Sequence, residues 1–133
     1  ASPLPAAGAR LRARGIDIIL VDTDGDCRSL IPLFLEAGVT GLYPFEVQAG
    51  MYVEEIGRQY PSLQILGGID KRALARDHAA IERELQRHLP FLLERGNYIP
   101  TLDHHVPPDV PWSNFVYYRR RVADLCERHR RSI

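Results

Sequence analysis

The sequence has few cysteines and no excess charge of either sign. Its 133 residues include two cysteines, Cys27 and Cys126, and 17 Lys and Arg residues balance 17 Asp and Glu residues. Two cysteines outside a CxxC pattern exclude a disulfide-dense secreted scaffold and predict reduced thiols in a cytoplasmic protein. The lack of a basic excess argues against a nucleic-acid partner, because such binding depends on neutralising phosphates.

Long apolar runs are also missing. The longest, residues 16–21, is interrupted by Asp17, so the sequence predicts no bilayer-spanning segment and no membrane partner. Residues 1–15 mix Ala, Pro and Arg without the apolar core of a signal peptide, and they are typical of a chain that enters in mid-domain. The composition, 45% hydrophobic and 26% charged, predicts one globular domain over residues 1–133.

Short apolar runs alternate with helical patterns along the chain. The apolar runs, which predict strands, cover residues 16–21, 41–47, 63–66 and 98–102. The helical patterns cover residues 27–37, 51–60, 71–95 and 113–129. We expect the first strand to be buried on both faces and Asp70 to be the N-cap of the third helix. The alternation predicts an α/β fold with parallel strands, either an open four-stranded sheet or half of a (β/α)₈ barrel.

Each predicted strand ends, at its C-terminal side, in polar residues or glycines. They are Asp22, Asp24 and Asp26, then Glu46, then Gly67, Gly68 and Asp70, and finally Asp103, His104 and His105. In parallel α/β folds, ligands bind at that edge because βα-loops and helix N-termini converge there. We therefore expect a site for a small-molecule substrate at this edge.

The acidic residues allow two interpretations each. Carboxylates at the alternating positions of Asp22 and Asp24 suit a hard cation or an acid/base pair, whereas Asx-turns are the alternative. Asp26 is better explained as a helix cap. Glu46 follows an apolar run, which favours a place in a pocket over an exposed salt bridge. Cys27 beside this loop is expected to be a packed thiol at a helix start, with its pKa raised by neighbouring carboxylates.

The glycines and histidines also leave alternatives open. Gly67 and Gly68 could offer backbone N–H groups to an anion, or they could allow close packing of strand and helix. One of His104 and His105 is expected to serve as an acid or a metal ligand, because the stiff sequence that follows holds the rings in place. The remaining histidines, His78, His88 and His129, and the arginines of residues 119–121 and 128–131 are expected on solvated helix faces.

Four stretches together resemble the C-terminal part of the uroporphyrinogen decarboxylase superfamily, which includes cobalamin-dependent methyltransferases. They are VDTDGD (residues 21–26), GLYPFEVQAGM (41–51), LQILGGIDKRAL (63–74) and YIPTLDHHVPPDVPWSNFVYY (98–118). The resemblance implies a (β/α)₈ barrel of which this chain forms the last four βα units. In the decarboxylases a Leu-Gly-His-Gly sequence ends the last strand, and residues 102–105 match it with His104 in the place of the active-site histidine.

The methyltransferase branch implies a metal site. Its members hold zinc through a His-x-Cys pair and a later cysteine, and here Asp22 and Asp24 stand at the positions of the pair, with Asp103 or His104 at the third position. The resemblance therefore implies a divalent metal, such as zinc, held by Asp22, Asp24, Glu46 and His104, together with a corrinoid-linked methyl donor or acceptor. The DTDGD sequence is most similar to methyltransferase-like members.

Two classes of function remain open. The first is a decarboxylase-like lyase of porphyrin biosynthesis, or a methyltransferase, with His104, Asp22 and Asp70 as catalytic residues and Glu46, Gly67 and Gly68 as substrate-binding residues. Because no segment matches the N-terminal half of the family, the isolated half-barrel is expected to be inactive. The second class is a non-catalytic half-barrel that assembles as a homodimer or with a complementary N-terminal half-barrel chain. A phosphate-binding module at Gly67 and Gly68 is a third possibility.

Overall fold

A computed structural model describes residues 3–133. Helices and strands alternate along these residues. The strands are β1 (Leu20–Thr23), β2 (Gly41–Pro44), β3 (Gln64–Leu66) and β4 (Tyr98–Ile99). The α-helices are α1 (Pro3–Ala13), α2 (Ile31–Glu36), α3 (Val53–Gln59), α4 (His78–Arg95) and α5 (Trp112–Ser132). Short 3₁₀ helices cover Arg28–Leu30, Val47–Ala49 and Lys71–Ala73. None of the helices in residues 3–133 is long and apolar enough to cross a membrane.

The strands form one parallel sheet in the order β1-β2-β3-β4, which confirms the predicted α/β fold with parallel strands. Connections between parallel neighbours are right-handed as a rule, so crossovers in chain order place their helices on the same face of a sheet. Leu42 and Ile65 are paired across β2 and β3 and are almost fully buried. Together with Val53 and Leu92 they belong to a core between sheet and helices.

The first strand differs from its prediction. It begins at Leu20 and not at residue 16, and the residues before it are exposed: Ile16 is 42% and Ile18 63% accessible. Ile19 and Val21, which alternate with these residues, pack against the core. The expectation of a strand buried on both faces was wrong, because only one face of this sheet is covered by helices in the described part of the chain.

The opposite sheet face is apolar and open. Its strand residues include Leu20, Tyr43, Leu66 and Ile99, which fall on one side by the alternation and register of the strands. Leu20 and Tyr43 are each 36% accessible and Ile99 is 55% accessible. With Ile18, these residues form what we call the open sheet face; part of it is a groove of about 180 Å³ between Ile18, Leu20, Leu66 and Ile99.

The third predicted helix is broken in two. Asp70 accepts a hydrogen bond from the Arg72 amide and caps only the 3₁₀ helix Lys71–Ala73. Asp77 has an extended backbone, and its side chain accepts a hydrogen bond of 2.7 Å from the Ala80 amide, so α4 begins at His78. The expectation of one helix capped by Asp70 was wrong, because the carboxylate of Asp77 satisfies the first amides of α4.

Helix α1 was not anticipated. It packs against the end of α2 through Gly8, where a Cβ atom would lie 2.0 Å from the carbonyl oxygen of Ala37. The Arg12 side chain donates a hydrogen bond of 3.1 Å to the carbonyl of Gly38. A glycine at position 8 is therefore required for this close approach, although the mixed composition of residues 1–15 gave no helical periodicity.

The other elements lie where they were predicted, with shifted ends. The predicted strand 98–102 consists of β4 followed by a single parallel bridge between Ile69 and Leu102. The predicted helix 27–37 contains a 3₁₀ turn before α2, and the last helix extends from Trp112 to Ser132. The C-terminal ends of the strands consequently come together at one edge, as expected for a parallel sheet.

Candidate functional site

The C-terminal edge of the sheet contains a cleft of about 520 Å³. The loops after β1 and β4, the end of β2 and the first turns of α5 form its walls. The lining residues are Asp22, Asp24, Tyr43, Pro44, Thr101, Leu102, His104, His105, Val106, Phe115, Tyr118 and Arg119. The cleft therefore lies where ligands bind in parallel α/β folds, and it contains three of the residues predicted for the site.

Asp24, Glu46 and His104 form a cluster of three ligand groups. One carboxylate oxygen of Asp24, one of Glu46 and a ring nitrogen of His104 all lie within 4.8 Å of one another. The Asp24 Oδ1 atom is 3.9 Å from His104 Nε2, and the His104 side chain is only 32% exposed. Ligand atoms bound to one divalent ion at about 2.1 Å lie roughly 3 to 4 Å apart, so a small contraction of the cluster would close it around a cation.

Glu46 is positioned by the loop after β1. Its Oε1 atom accepts a hydrogen bond of 3.1 Å from the Gly25 amide, at a residue with a φ of 70° that favours glycine. Glu46 follows the buried Phe45, which itself has a φ of 64° and turns the chain at the end of β2. The loops after β1 and β2 are thereby joined beside His104. Glu46 is half-buried and has no salt bridge among the described residues, but it does not line the cleft.

Asp103 joins three loops at the same edge. Its side chain is fully buried, and its two oxygens accept hydrogen bonds from the Val47 amide at 2.9 Å and the Lys71 amide at 3.0 Å. The Lys71 Nζ atom lies 3.6 Å from Asp103 Oδ2. Asp103 thus connects the loops after β2, β3 and β4. Since both of its oxygens are engaged, the structure favours His104 over Asp103 as the third ligand.

The other acidic residues have different surroundings. Asp22 is exposed and lines the cleft but is not one of the three clustered groups. Asp26 accepts hydrogen bonds from the side chain and the amide of Arg28, and these contacts lower the pKa of Asp26 to about 2. The helix-cap prediction for Asp26 was wrong: the N-cap position of the following 3₁₀ helix is Cys27, without a side-chain cap, and Asp26 instead forms a local turn contact with the Arg28 amide two residues on. Cys27 is buried, and burial together with the charge of Asp26 raises the pKa of its thiol, as predicted.

The two glycines after β3 are required for packing. A Cβ atom on Gly67 would lie 1.9 Å from the Pro44 carbonyl oxygen, and one on Gly68 would lie 2.2 Å from Val53 Cγ1. Both have positive φ angles, 123° and 81°. Their amides already donate to the carbonyls of Ile99 and Pro44. The structure therefore favours the close-packing alternative, and neither amide is free to bind a substrate or a phosphate.

Asp70 is not brought to the cleft. Its carboxylate forms a two-point ion pair with Arg72, with 2.7 Å between Nη2 and Oδ2, and it faces a separate cleft beside α4. Burial would raise the pKa of Asp70, but the hydrogen bonds from Arg72 lower it below its usual value. This ion pair explains why Asp70 does not join the residues predicted to be catalytic.

Helix α5 adds residues that the sequence did not indicate. Phe115, Tyr118 and Arg119 line the cleft, and Arg119 is exposed, as expected for the solvated face predicted at residues 119–121. Phe115 and Arg119 are four residues apart and so lie on one side of the helix. Tyr118 is buried, and burial raises its pKa to about 12, so its hydroxyl stays neutral. The cue in the sequence was the position of α5 directly after the loop that carries His104.

His88 on α4 is buried, contrary to its prediction. Only 5% of the residue is accessible, and its ring lies between the carboxylates of Glu54 and Glu84, with 2.5 Å between His88 Nε2 and Glu84 Oε1. Burial alone would lower the pKa of His88, but the hydrogen bonds to the two carboxylates raise it to about 9. His88 lies three residues after Leu85 and four before Leu92, so it is on the buried side of α4. The prediction that it is solvated was wrong.

The sequence matches no known family model and no curated protein. The site combines two carboxylates and an imidazole in the cluster with a guanidinium and several aromatic and apolar groups in the lining of the cleft. This set can hold a divalent cation and, at Arg119, a negatively charged group of a small molecule.

Proposed function

We propose that the chain supplies the metal-binding half of a (β/α)₈-barrel enzyme that resembles the uroporphyrinogen decarboxylase superfamily, and in particular its corrinoid methyltransferase-like members. The observation that carries this proposal is the convergence of Asp24, Glu46 and His104 at the C-terminal edge of a parallel sheet. The pairing of the strands in chain order supports the proposal, because neighbouring strands of a (β/α)₈ barrel also follow one another along the chain. The substrate class is a carboxylated or methylated small molecule.

Different residues would bind the metal ion and the substrate. A divalent ion such as zinc, bound by Asp24, Glu46 and His104, would supply Lewis acidity to the methyl acceptor or donor. The two carboxylates offset the charge of the ion, and the Gly25 amide holds Glu46 in position. Arg119 faces the same space and can pair with a substrate carboxylate. Tyr43 and Phe115 contribute aromatic surface to the lining of the cleft, against which a bound molecule could pack.

The decarboxylase version of the proposal uses no metal. In that version His104 and Arg119 would hold a substrate carboxylate. After the carboxylate leaves as CO₂, His104 would donate a proton to the carbon to which it was attached. The clustering of Asp24 and Glu46 beside His104 favours the methyl-transfer version, because two carboxylates next to the imidazole would repel an anionic substrate unless a cation lay between them.

The first prediction is that the protein binds Zn²⁺ with one ion per chain. The variant H104A is expected to weaken binding at least about tenfold, because one of three protein ligands is lost. Isothermal titration with Zn²⁺ measures the affinity, and H129A is the matched control because His129 lies near the end of α5, outside both the cluster and the cleft. Equal affinities for wild type, H104A and H129A would overturn the metal site.

A second candidate function is assembly without catalysis, and the open sheet face favours it. Ile18, Leu20, Tyr43, Leu66 and Ile99 present apolar surface to solvent, where apolar patches commonly mark interfaces. Within the described residues, β1 and β4 each have an unpaired edge. Two copies of a four-stranded sheet would supply the eight strands of a closed barrel. We therefore infer that the occupant of this face is a second copy of the chain.

The second prediction concerns the mass in solution. Light scattering is expected to give a dimer, and the variants I18K and I99K are expected to give monomers, because each buries a charge in the interface. The control is L33K, since Leu33 is 58% accessible on α2 and lies outside the open sheet face. A monomer for the wild type would exclude self-assembly and would leave a complementary half-barrel chain as the occupant. Metal content is measured on the same fraction, so the metal-site proposal and the self-assembly proposal are tested independently.

A further inference from the structure

A second cleft lies beside the first turns of α4, and four arginines surround it. It has a volume of about 700 Å³. Its basic walls are Arg72, Arg76, Arg83 and Arg87, which we call the arginine cleft. It is independent of the cluster around His104, because the two clefts share no lining residue.

The chain geometry brings the guanidinium groups together. Arg83 and Arg87 are one helical turn apart on α4 and so project from the same side of the helix. Arg72 lies on the 3₁₀ helix Lys71–Ala73, and Arg76 lies in the segment before α4. The floor between the two pairs consists of Ala73 and Ala80, both buried. Small side chains at these two positions leave room for the cleft, and the four arginines around it are exposed.

The carboxylates in the cleft are already engaged. Asp70 is bound to Arg72 through two points, and Glu84 Oε1 accepts hydrogen bonds from the Asp70 amide at 3.0 Å and from His88 at 2.5 Å. In the part of the chain that the structure describes, no carboxylate lies within 4.0 Å of the guanidinium nitrogens of Arg76, Arg83 or Arg87. Arg76, Arg83 and Arg87 are exposed and line one cleft, and none of them has a carboxylate partner among the described residues.

We propose that the arginine cleft is a binding site for a small molecule with a phosphate or diphosphate group. Guanidinium groups match phosphate oxygens with two parallel hydrogen bonds, and several of them on two walls suit a group with at least two negative charges. The volume is within the range of about 300 to 1,000 Å³ that small-molecule sites occupy. A bound phosphate also relieves the repulsion among Arg76, Arg83 and Arg87.

Inorganic pyrophosphate tests the proposal on the metal-free wild-type protein. Isothermal titration at low salt is expected to give one site per chain, and amide NMR signals of Ala73 and Ala80 are expected to shift. The double variant R83Q/R87Q is expected to bind at least about tenfold more weakly, because two charged contacts are removed. The matched control is R120Q/R128Q, which removes the same charge from exposed positions on α5.

Three results would overturn the proposal. They are the absence of binding to wild type, an equal loss in the control variant, and binding only to vesicles that contain phosphatidic acid. The single variant R76Q provides a second test outside α4, in case R83Q/R87Q fails to fold by circular dichroism. H104A is expected to leave pyrophosphate binding unchanged, so failure of the metal site and failure of the arginine cleft give different results.

Discussion

Replacing Asp103 with asparagine is expected to lower the free energy of unfolding by about 3 kcal/mol, because a buried charge pair and a buried backbone hydrogen bond are broken together. Asp103 is fully buried and accepts hydrogen bonds from the amides of Val47 and Lys71. An asparagine side chain has one acceptor oxygen, so its NH₂ group would face one of these two N–H donors. The Lys71 ammonium would also lose its anionic partner.

Urea denaturation of wild type and D103N measures this effect. Asp109 is exposed in the same loop, so D109N is the matched control and is expected to change the free energy of unfolding by less than about 0.5 kcal/mol. Zn²⁺ affinity is expected to fall in D103N as well, because the loop that carries His104 loses its attachment to the loop after β2. A D103N protein as stable as D109N would mean that Asp103 does not hold the three loops together.

Stability is expected to fall by about 3 kcal/mol between pH 6.5 and 9 through His88, by the linkage of a pKa shift to folding. The pKa of His88 is raised from 6.5 to about 9 in the folded protein. The folded state therefore binds the proton more tightly than the unfolded state. The stabilisation that protonated His88 contributes is complete below pH 6.5, decreases as the pH rises from 6.5 to 9, and is lost above pH 9.

The H88Q variant isolates the contribution of His88 to the free energy of unfolding. H88Q leaves Glu54 and Glu84 facing each other without a cation, so it is expected to be less stable than wild type by about 3 kcal/mol at pH 6. The difference between the two proteins is expected to shrink as the pH approaches 10. Urea denaturation at several pH values gives both curves, with H129Q as the control for loss of an ordinary histidine. A difference that does not depend on pH would show that His88 is not held between its two carboxylates as an imidazolium.

The alternation of strands and helices was predictable because apolar periodicity reports which side of each segment is buried. Periodicity could not show where a helix is interrupted, since Leu74 and Ile81 belong to one apolar stripe although Asp77 caps a new helix between them. It also could not show that one sheet face is open at Ile18, because that depends on which neighbouring elements are present.

Part of the candidate site was predictable from the positions of its residues relative to the strands. Asp24, Glu46 and His104 lie in the loops after β1, β2 and β4, and the ends of parallel strands meet at one edge, so their proximity follows from the chain order. Arg119 reaches the same cleft only because α5 packs across it, and Asp103 is buried only because three loops converge on it. Such contacts arise from tertiary packing, which local spacing does not encode.

The order of the strands makes the molecule modular. Each strand pairs with the strand that lies one βα unit away in the chain, so each loop closure on folding involves a single βα unit and no pairing skips a unit. Successive units can dock without any segment threading through another. A sheet built in this way can also lengthen at β1 or β4 by the addition of one more unit, with no change to the pairings already made. Growth of the architecture by duplication of adjacent units is therefore topologically simple.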